Sequence, residues 1–286
     1  MYKRQKILLS LITLLESSNK TRIQKLMFLV CRDLQPPPYY FFPYKFGPFS
    51  FSLDNDLKRL TEKELITVSD REIICNTQTP FLDSEDISKR IKNTIKRHAH
   101  KDTDSLISYV YHKYPYYASR SEIRERYQVP AEESTYYHKT PDNSRKSLYT
   151  IGYEGRTIDS YLDLLILNNI RLLVDVRASA YSMKPDFIGG RLKNYCRLLG
   201  IEYRWIPELG IPSKLRKDIP DRNELLSYYK EEILPEATIH LKDLKTLIKG
   251  HSVVALTCME FNHNDCHRSM LASYLANDPE PSVTHL

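Results

Sequence analysis

The chain has 286 residues, long enough for two domains, and 41% of them are hydrophobic, enough to build real cores. Its formal charge of +6 is unevenly placed: residues 1–147 hold 25 Lys plus Arg against 18 Asp plus Glu, while residues 148–286 hold 17 against 18. No apolar run approaches the roughly 18 residues of a membrane span, and the five scattered cysteines read as reduced thiols, so a cytoplasmic protein with no membrane partner is expected.

Leu8–Leu15 is apolar but short and has no small-residue cleavage site, which argues against a signal peptide. Ile7, Leu8, Leu11, Ile12, Leu14 and Leu15 instead recur at helical spacing. Thr21 is the candidate cap of a second helix carrying Ile23, Leu26, Met27, Leu29 and Val30. The prolines of "DLQPPPYYFFPYKFGPFS" break the pattern. A third helix starts at Ser50 or Ser52 and runs through Leu60. "LITVSDREIICN" is two β-rich runs around a Ser69-Asp70 turn, a hairpin. Three helices followed by a two-stranded wing is the order of a winged-helix module. Residues 84–113 form one more helical stretch, strongly basic at Lys89, Arg90, Lys92, Lys96 and Arg97. Such a run is either a solvated face or a phosphate-binding one, and Lys89, Arg90, Lys96 and Arg97 are the candidate nucleic-acid contacts. Residues 128–147 are polar and without periodicity, which divides the chain into a winged-helix-like domain (1–127), a linker (128–147) and an α/β domain (148–286).

From Leu148 strands and helices alternate. "LYTIGYEG" is a β-rich run ending at glycines, and Thr157 caps the helix that follows. "RLLVDVR" has the continuous apolar texture of a strand covered on both faces. "RLKNYCRLLG" is a helix, "IEYRWIP" a third strand, and 222–249 is helical with Pro235 interrupting. "HSVVALTC" is a fourth strand, "HRSMLASYLA" a helix, and "SVTHL" a terminal strand. The order predicts a three-layer α/β domain with a mostly parallel sheet, Rossmann-like or rhodanese-like.

In such sheets ligands bind at the carboxyl ends of the strands. Those ends carry Gly152, Tyr153, Glu154 and Gly155; Asp175 and Arg177; Glu208; and Cys258 and Glu260. The two glycines before Thr157 suit either a tight turn or an anion held at a helix start. Asp175 closes an apolar strand and needs a partner, and Arg177 lies on the same sheet face. "LTCMEFNHNDCHRSMLASYL" has three readings. Cys258, Cys266, His267 and His263 are zinc-ligand types. However, C-x7-C-H is not a close-paired knuckle, and the adjacency of Cys266 and His267 hinders joint ligation, so no metal or cofactor is expected. Cys258 at a strand end or Cys266 at a helix start could be a reactive thiol, but the phosphatase spacing Cys-x5-Arg, counted from Cys258, meets Asn264. The third reading is a scaffold in which His267 and Arg268 hold Glu260 at the crevice. Asp175, Arg177, Cys258, Glu260 and Arg268 are therefore the catalytic candidates. Gly152, Tyr153, Glu154, Gly155, Glu208, Cys266 and His267 are the ligand- or phosphate-binding ones.

Three motifs in order, "TIGYEGRTIDSYLDLLILNNIRLLVDVRASAYSMKPDF", "GIEYRWIPELGIPSK" and "LTCMEFNHNDCHRSMLASYL", resemble the family called domain of unknown function 488, from about Leu148 to Leu286. Its C-x-E and C-H-R hallmark is met by Cys258, Glu260, Cys266, His267 and Arg268. The resemblance implies a compact α/β domain and leaves the reaction unassigned. "LLVDVR" followed by "VVALTC" also looks like rhodanese-type sulfurtransferases, although "CMEFNHNDCHR" lacks the glycine-and-arginine pattern of that catalytic loop. "IQKLMFLV" with "YKFGPFSFSLDNDLKRLTEKELI" resembles small bacterial helical domains associated with antitoxin or phage-defence genes, over roughly residues 5–80.

Three functions stay open. One is an enzyme acting on nucleic acid or nucleotides, with a basic N-terminal binding module and candidate base-stacking aromatics in "PPPYYFFPYKFGPF" and "YVYHKYPYY". The second is a non-catalytic regulator or ligand sensor. The third is a cysteine-dependent sulfurtransferase. A protein partner for the N-terminal module is the alternative to nucleic acid.

Overall fold

The helical spacing of Ile7, Leu8, Leu11 and Ile12 becomes helix α1 (Lys3–Leu15) in the computed structural model, which describes residues 1–69, 72–77, 84–130, 147–276 and 282–286. The chain divides into two units, Met1–Tyr137 and His138–Leu286. The expected linker, 128–147, lies for the most part outside the described residues, as does Asp70 of the expected turn.

In the first unit, α2 (Lys20–Arg32) begins before Thr21. Its cap is Asn19, whose side chain accepts from the Arg22 amide at 2.9 Å. A two-residue strand, β1 (Ser17–Ser18), precedes it and was not foreseen, being too short to leave a pattern. The aromatic, proline-rich segment is not merely a breaker. It folds into a small hairpin, β2 (Phe42–Tyr44) against β3 (Gly47–Phe49), with Pro43 opposite Pro48. Helix α3 (Phe51–Glu62) is capped by Ser50, which accepts from the Leu53 amide at 3.1 Å. The hairpin β4 (Ile66–Val68) and β5 (Ile73–Cys75) forms as expected, and β1 joins it antiparallel to β5. The stretch 84–113 is two helices rather than one: α4 (Glu85–His98) and α5 (Thr103–Lys113). Asp102 causes the break, because its side chain caps a new helix by accepting from the Ser105 amide at 2.8 Å. One apolar cluster joins the buried sides of α1, α2, α3, α5 and Ile91 of α4.

The second unit is a five-stranded, wholly parallel sheet in the order β10-β6-β9-β7-β8: β6 (Ser147–Gly152), β7 (Leu172–Asp175), β8 (Glu202–Trp205), β9 (Val253–Cys258) and β10 (Ser282–His285). Thr157 caps α6 (Ile158–Leu167) through a capping box with Ser160. Helices α7 (Gly189–Leu198), α8 (Thr238–Gly250) and α9 (His267–Leu275) complete the layers. Between β8 and α8 the chain forms a bent helical stretch. It runs through a π turn (Tyr229–Ile233) to a short segment, Leu234–Glu236, where Pro235 sits.

The register assigns the faces. Side chains alternate along a strand, and cross-strand partners share a face. Val174 and Leu256 are partners, and both belong to the apolar cluster with Leu241 and Leu244 of α8 and Leu271 and Leu275 of α9. Asp175 and Thr257, one residue on, are also partners and point to the other face. There the Tyr161 hydroxyl of α6 donates to Thr257 Oγ1 at 2.8 Å.

Candidate functional site

The strand ends hold two groups of polar side chains, back to back. The first surrounds Asp175, the fully buried last residue of β7. Arg177 forks onto it, with Nε 2.8 Å from Oδ1 and Nη2 bonded to Oδ2, and the Arg177 amide also donates to Oδ1 at 3.2 Å. The Tyr203 hydroxyl donates to Oδ2 at 2.7 Å. Arg177 Nη1 donates to the Phe187 carbonyl at 3.1 Å and to the Tyr153 hydroxyl at 3.3 Å. Trp205 Nε1 donates to the Arg177 carbonyl at 2.8 Å. Both carboxylate oxygens and four of the five guanidinium donors are thus spent inside the protein. Burial opposes the charge on Arg177, but the hydrogen bonds and charge of Asp175 outweigh it and raise the guanidinium pKa further. This pair ties β7, β8 and the 177–188 loop together and has little left for a ligand.

The second group lies on the opposite face, where β9 ends. Cys258 is the last residue of that strand, Cys266 is the N-cap of α9 and His267 its first residue; all three are at most 2% exposed. Cys258 Sγ lies 3.2 Å from Glu260 Oε2 and 3.8 Å from His267 Nδ1, and Cys266 Sγ lies 4.0 Å from the same nitrogen. His267 Nε2 lies 2.9 Å from the Val176 carbonyl. A carbonyl has no proton to give, so Nε2 carries a hydrogen, and Nδ1 is the ring nitrogen turned toward the sulfurs. The Tyr229 ring packs edge-on against His267 at 5.1 Å between centroids.

Burial pushes the Cys266 thiol well above its ordinary pKa, and the neighbouring Cys258 adds to the rise. For Glu260 burial also opposes ionisation. Hydrogen bonds from Cys266, from its own backbone and from Cys258, and the charge of Arg216, win and hold the carboxyl at about 2. Glu260 is therefore an anion at neutral pH, beside two thiols and 3.4 Å from Arg216.

Arg268 does not hold the Glu260 carboxylate. Fully buried, it donates to the carbonyls of Glu260 at 2.6 Å and Phe261 at 3.1 Å and reaches Thr150 Oγ1 at 3.4 Å. It staples the 259–262 loop to β6. Gly152 permits the same approach: a Cβ there would sit 1.8 Å from the Glu260 carbonyl oxygen. The turn after Gly152 has few amides to offer an anion. The Tyr153 and Glu154 amides donate to the carbonyls of Cys258 and Met259, Arg156 to Tyr153, and Thr157 to Ser160 Oγ. The Glu154 carboxylate accepts from the Phe261 amide at 2.9 Å. The turn braces the cysteine loop.

Glu208 stands apart, 3.7 Å from His240 in a shallow cleft with Tyr228, Glu232 and Glu236. Of the expected residues, then, Tyr153, Asp175 and Arg177 form one group, and Cys258, Glu260, Cys266 and His267 the other. Gly152, Glu154 and Arg268 support the second. Adjacency does not keep Cys266 and His267 apart, contrary to expectation, because of the local geometry. Cys266 is extended (φ −137°, ψ 134°) and His267 helical, so the turn between them brings both side chains to one point.

Residues 157–275 match the family described as domain of unknown function DUF488. The match spans α6 to α9 and contains both polar groups except Tyr153, while β6 and β10 flank the matched region. No curated relative and no solved structure matches the chain. Three contributors to these groups were not anticipated. Tyr203 and Trp205 sit in a strand that read as ordinary, and their one signal was polar-tipped aromatics near a strand end. Arg216 lies in an aperiodic stretch and left no signal.

In the first unit, Lys89, Lys92, Lys96 and Arg97 lie exposed on the outer side of α4, opposite the buried Ile91 and Thr94, and make no ion pair among the described residues. Arg90 is engaged, donating to Asp86 at 2.9 Å and to the Asp33 carbonyl at 2.7 Å.

Proposed function

We propose that this protein is an enzyme acting on a phosphate-bearing substrate, nucleic acid or nucleotide, at the Cys258–Glu260–Cys266–His267 centre. The observation that carries the reading is the rim of that centre. Its buried thiols and imidazole open outward at Glu260, and three arginines from separate segments converge on the same loop. Arg216 pairs with Glu260, Arg222 lies 3.4 Å from Asp265, and Arg156 lies over the Phe261 ring at 5.0 Å. Cations around an opening attract an anionic substrate.

The unpaired basic side of α4 supports delivery of a polymer. In the N-terminal unit a strand between the first two helices pairs with the wing hairpin, and that order supports a winged-helix-like reading. Helix α3 buries Leu53, Asp56, Leu57 and Leu60, and its exposed Lys58 and Arg59 lie against Asp54 and Asp56, so α4 is proposed as the phosphate-contacting element. The resemblance of residues 5–80 adds an antitoxin or phage-defence setting. A non-catalytic regulator is the second reading, favoured by the same winged-helix order. A persulfide-carrying sulfurtransferase is disfavoured, because Cys258 faces a carboxylate that would repel the anion.

The full chain should be incubated with single- and double-stranded DNA, RNA and free nucleotides, and products resolved by chromatography. Abolished turnover in Cys258→Ser is expected; binding without any product would favour the regulator. Neutralising Lys89, Lys92, Lys96 and Arg97 should weaken polymer binding across all sequences. It should also flatten the log–log salt dependence by about 0.9 for each phosphate no longer neutralised. Unchanged affinity in that variant would remove α4 from the proposal.

A further inference from the structure

We propose that Cys258, Cys266 and His267 bind one divalent cation of the zinc class, with Glu260 beside the fourth position. The proposal deepens the reading of this centre as the reactive site, and metal content tests it apart from turnover. Two thiolates, an imidazole and a carboxylate are donors that such an ion takes in tetrahedral geometry. With metal–sulfur distances of about 2.3 Å and metal–nitrogen distances of about 2.0–2.1 Å, the edges of that tetrahedron are roughly 3.5–3.8 Å. The ligand atoms of Cys258, Cys266 and His267 all lie within 4.8 Å of one another, and the two sulfur–nitrogen edges are 3.8 and 4.0 Å. Contraction of the two sulfur–nitrogen edges by about half an ångström or less, and of a sulfur–sulfur edge that is within 4.8 Å, would bring the three donors onto one ion. The Glu260 oxygen lies 3.2 Å from Cys258 Sγ, outside the group of three, so it borders the site and would reach the ion directly only by a side-chain movement.

The histidine is set up for ligation. Its Nε2 proton is committed to the Val176 carbonyl, which leaves Nδ1, facing both sulfurs, as the nitrogen whose lone pair the neutral ring offers. A ligating imidazole commonly donates its other ring proton in this way. Charge favours the same conclusion. A cation entering here displaces two thiol protons to solvent and forms two metal–thiolate bonds, so the charge of each thiolate is compensated by the ion as it forms. Arg216 takes part of the remaining negative charge at Glu260. Ligation also accounts for the backbone devices around the loop: Gly152, Arg268 and Glu154 all hold residues 258–266 in one shape.

The test uses the full chain purified under reducing conditions without chelator. Elemental analysis should find about one zinc-class ion per chain after zinc loading and gel filtration. Cobalt(II) substitution should give the visible bands of a tetrahedral site together with near-ultraviolet thiolate-to-metal charge transfer. The Cys258→Ser/Cys266→Ser variant should lose the ion. Cys75→Ser, in the other unit, should keep it. Glu260→Gln should weaken affinity at least tenfold in a chelator competition, and it keeps the proposal testable should the double variant fail to fold. Wild-type protein that takes up neither zinc nor cobalt would overturn the inference. So would a Cys258–Cys266 disulfide in the reduced preparation, or full metal content in the double variant. Wild-type protein that turns over substrate yet takes up no metal would overturn it while leaving the enzyme reading intact. Bound metal with no turnover on any nucleic acid or nucleotide would support the site and remove that reading.

Discussion

Replacing Lys25 by methionine should stabilise the N-terminal unit at about pH 6 and weaken it at about pH 10.5. Lys25 lies on α2, fully enclosed, with its ammonium nitrogen 3.2 Å from the Pro48 carbonyl of the β2–β3 hairpin. Burial lowers its pKa from 10.5 to about 7. Below about pH 7 both folded and unfolded chains hold the proton, and the full cost of burying the charge falls on the folded state. Between about 7 and 10.5 the unfolded chain binds more protons than the folded one, so stability rises with pH. Above 10.5 both forms are neutral and the cost has gone. At about 1.36 kcal/mol for each step of one in pKa, the difference is worth roughly 5 kcal/mol. Methionine removes that cost but offers no donor to Pro48, a loss of about 1 kcal/mol. The net gain is then roughly 4 kcal/mol at the lower pH, turning to a loss of about 1 kcal/mol at the higher one. Urea unfolding followed by far-ultraviolet circular dichroism reads both units. The single tryptophan, Trp205, reads the α/β unit alone, and its transition should not move. A Lys25→Met variant that loses stability equally at both pH values would show that the buried charge carries no such cost.

Two further substitutions probe the α/β unit. Asp175→Asn should lower the transition seen through Trp205 by about 3–5 kcal/mol, because Arg177 is left charged and buried without its partner. Adding Arg177→Met should recover part of the loss; no recovery would mean that the charge was not the cause. Gly152→Ala should cost about 1–3 kcal/mol and raise the rate at which thiol reagents label Cys258. The new methyl group must push the Glu260 backbone away, so unchanged stability and labelling would show that the loop yields without consequence.

Much of the local structure was legible because its causes are local. Ser50 caps α3 and Thr157 caps α6. The apolar run of "RLLVDVR" became a strand buried along its length, and the alternation of strands and helices specified the parallel sheet. The Asp175–Arg177 pair was also readable, since a buried carboxylate needs a partner, although Arg177 lies two residues past the end of β7 rather than on it. Where local signals competed, reading failed. Asn19 outcompeted Thr21 as a cap, and Asp102 divided a helix that apolar spacing alone had joined.

Pattern along the chain was enough to tell which residue types crowd the strand ends and which elements carry them. How they divide was set by packing in three dimensions. Asp175 and Cys258 end neighbouring strands, yet the register of β7 on β9 turns them to opposite faces, so one expected crevice became two groups. The tautomer of His267 depends on the carbonyl of Val176, 91 residues earlier, and the charge beside Glu260 on Arg216, 44 residues away. Strand order and register follow from the packing of whole elements against one another. A pattern read over a few residues carries nothing about neighbours at that separation, and the chemistry of this site is made of such neighbours.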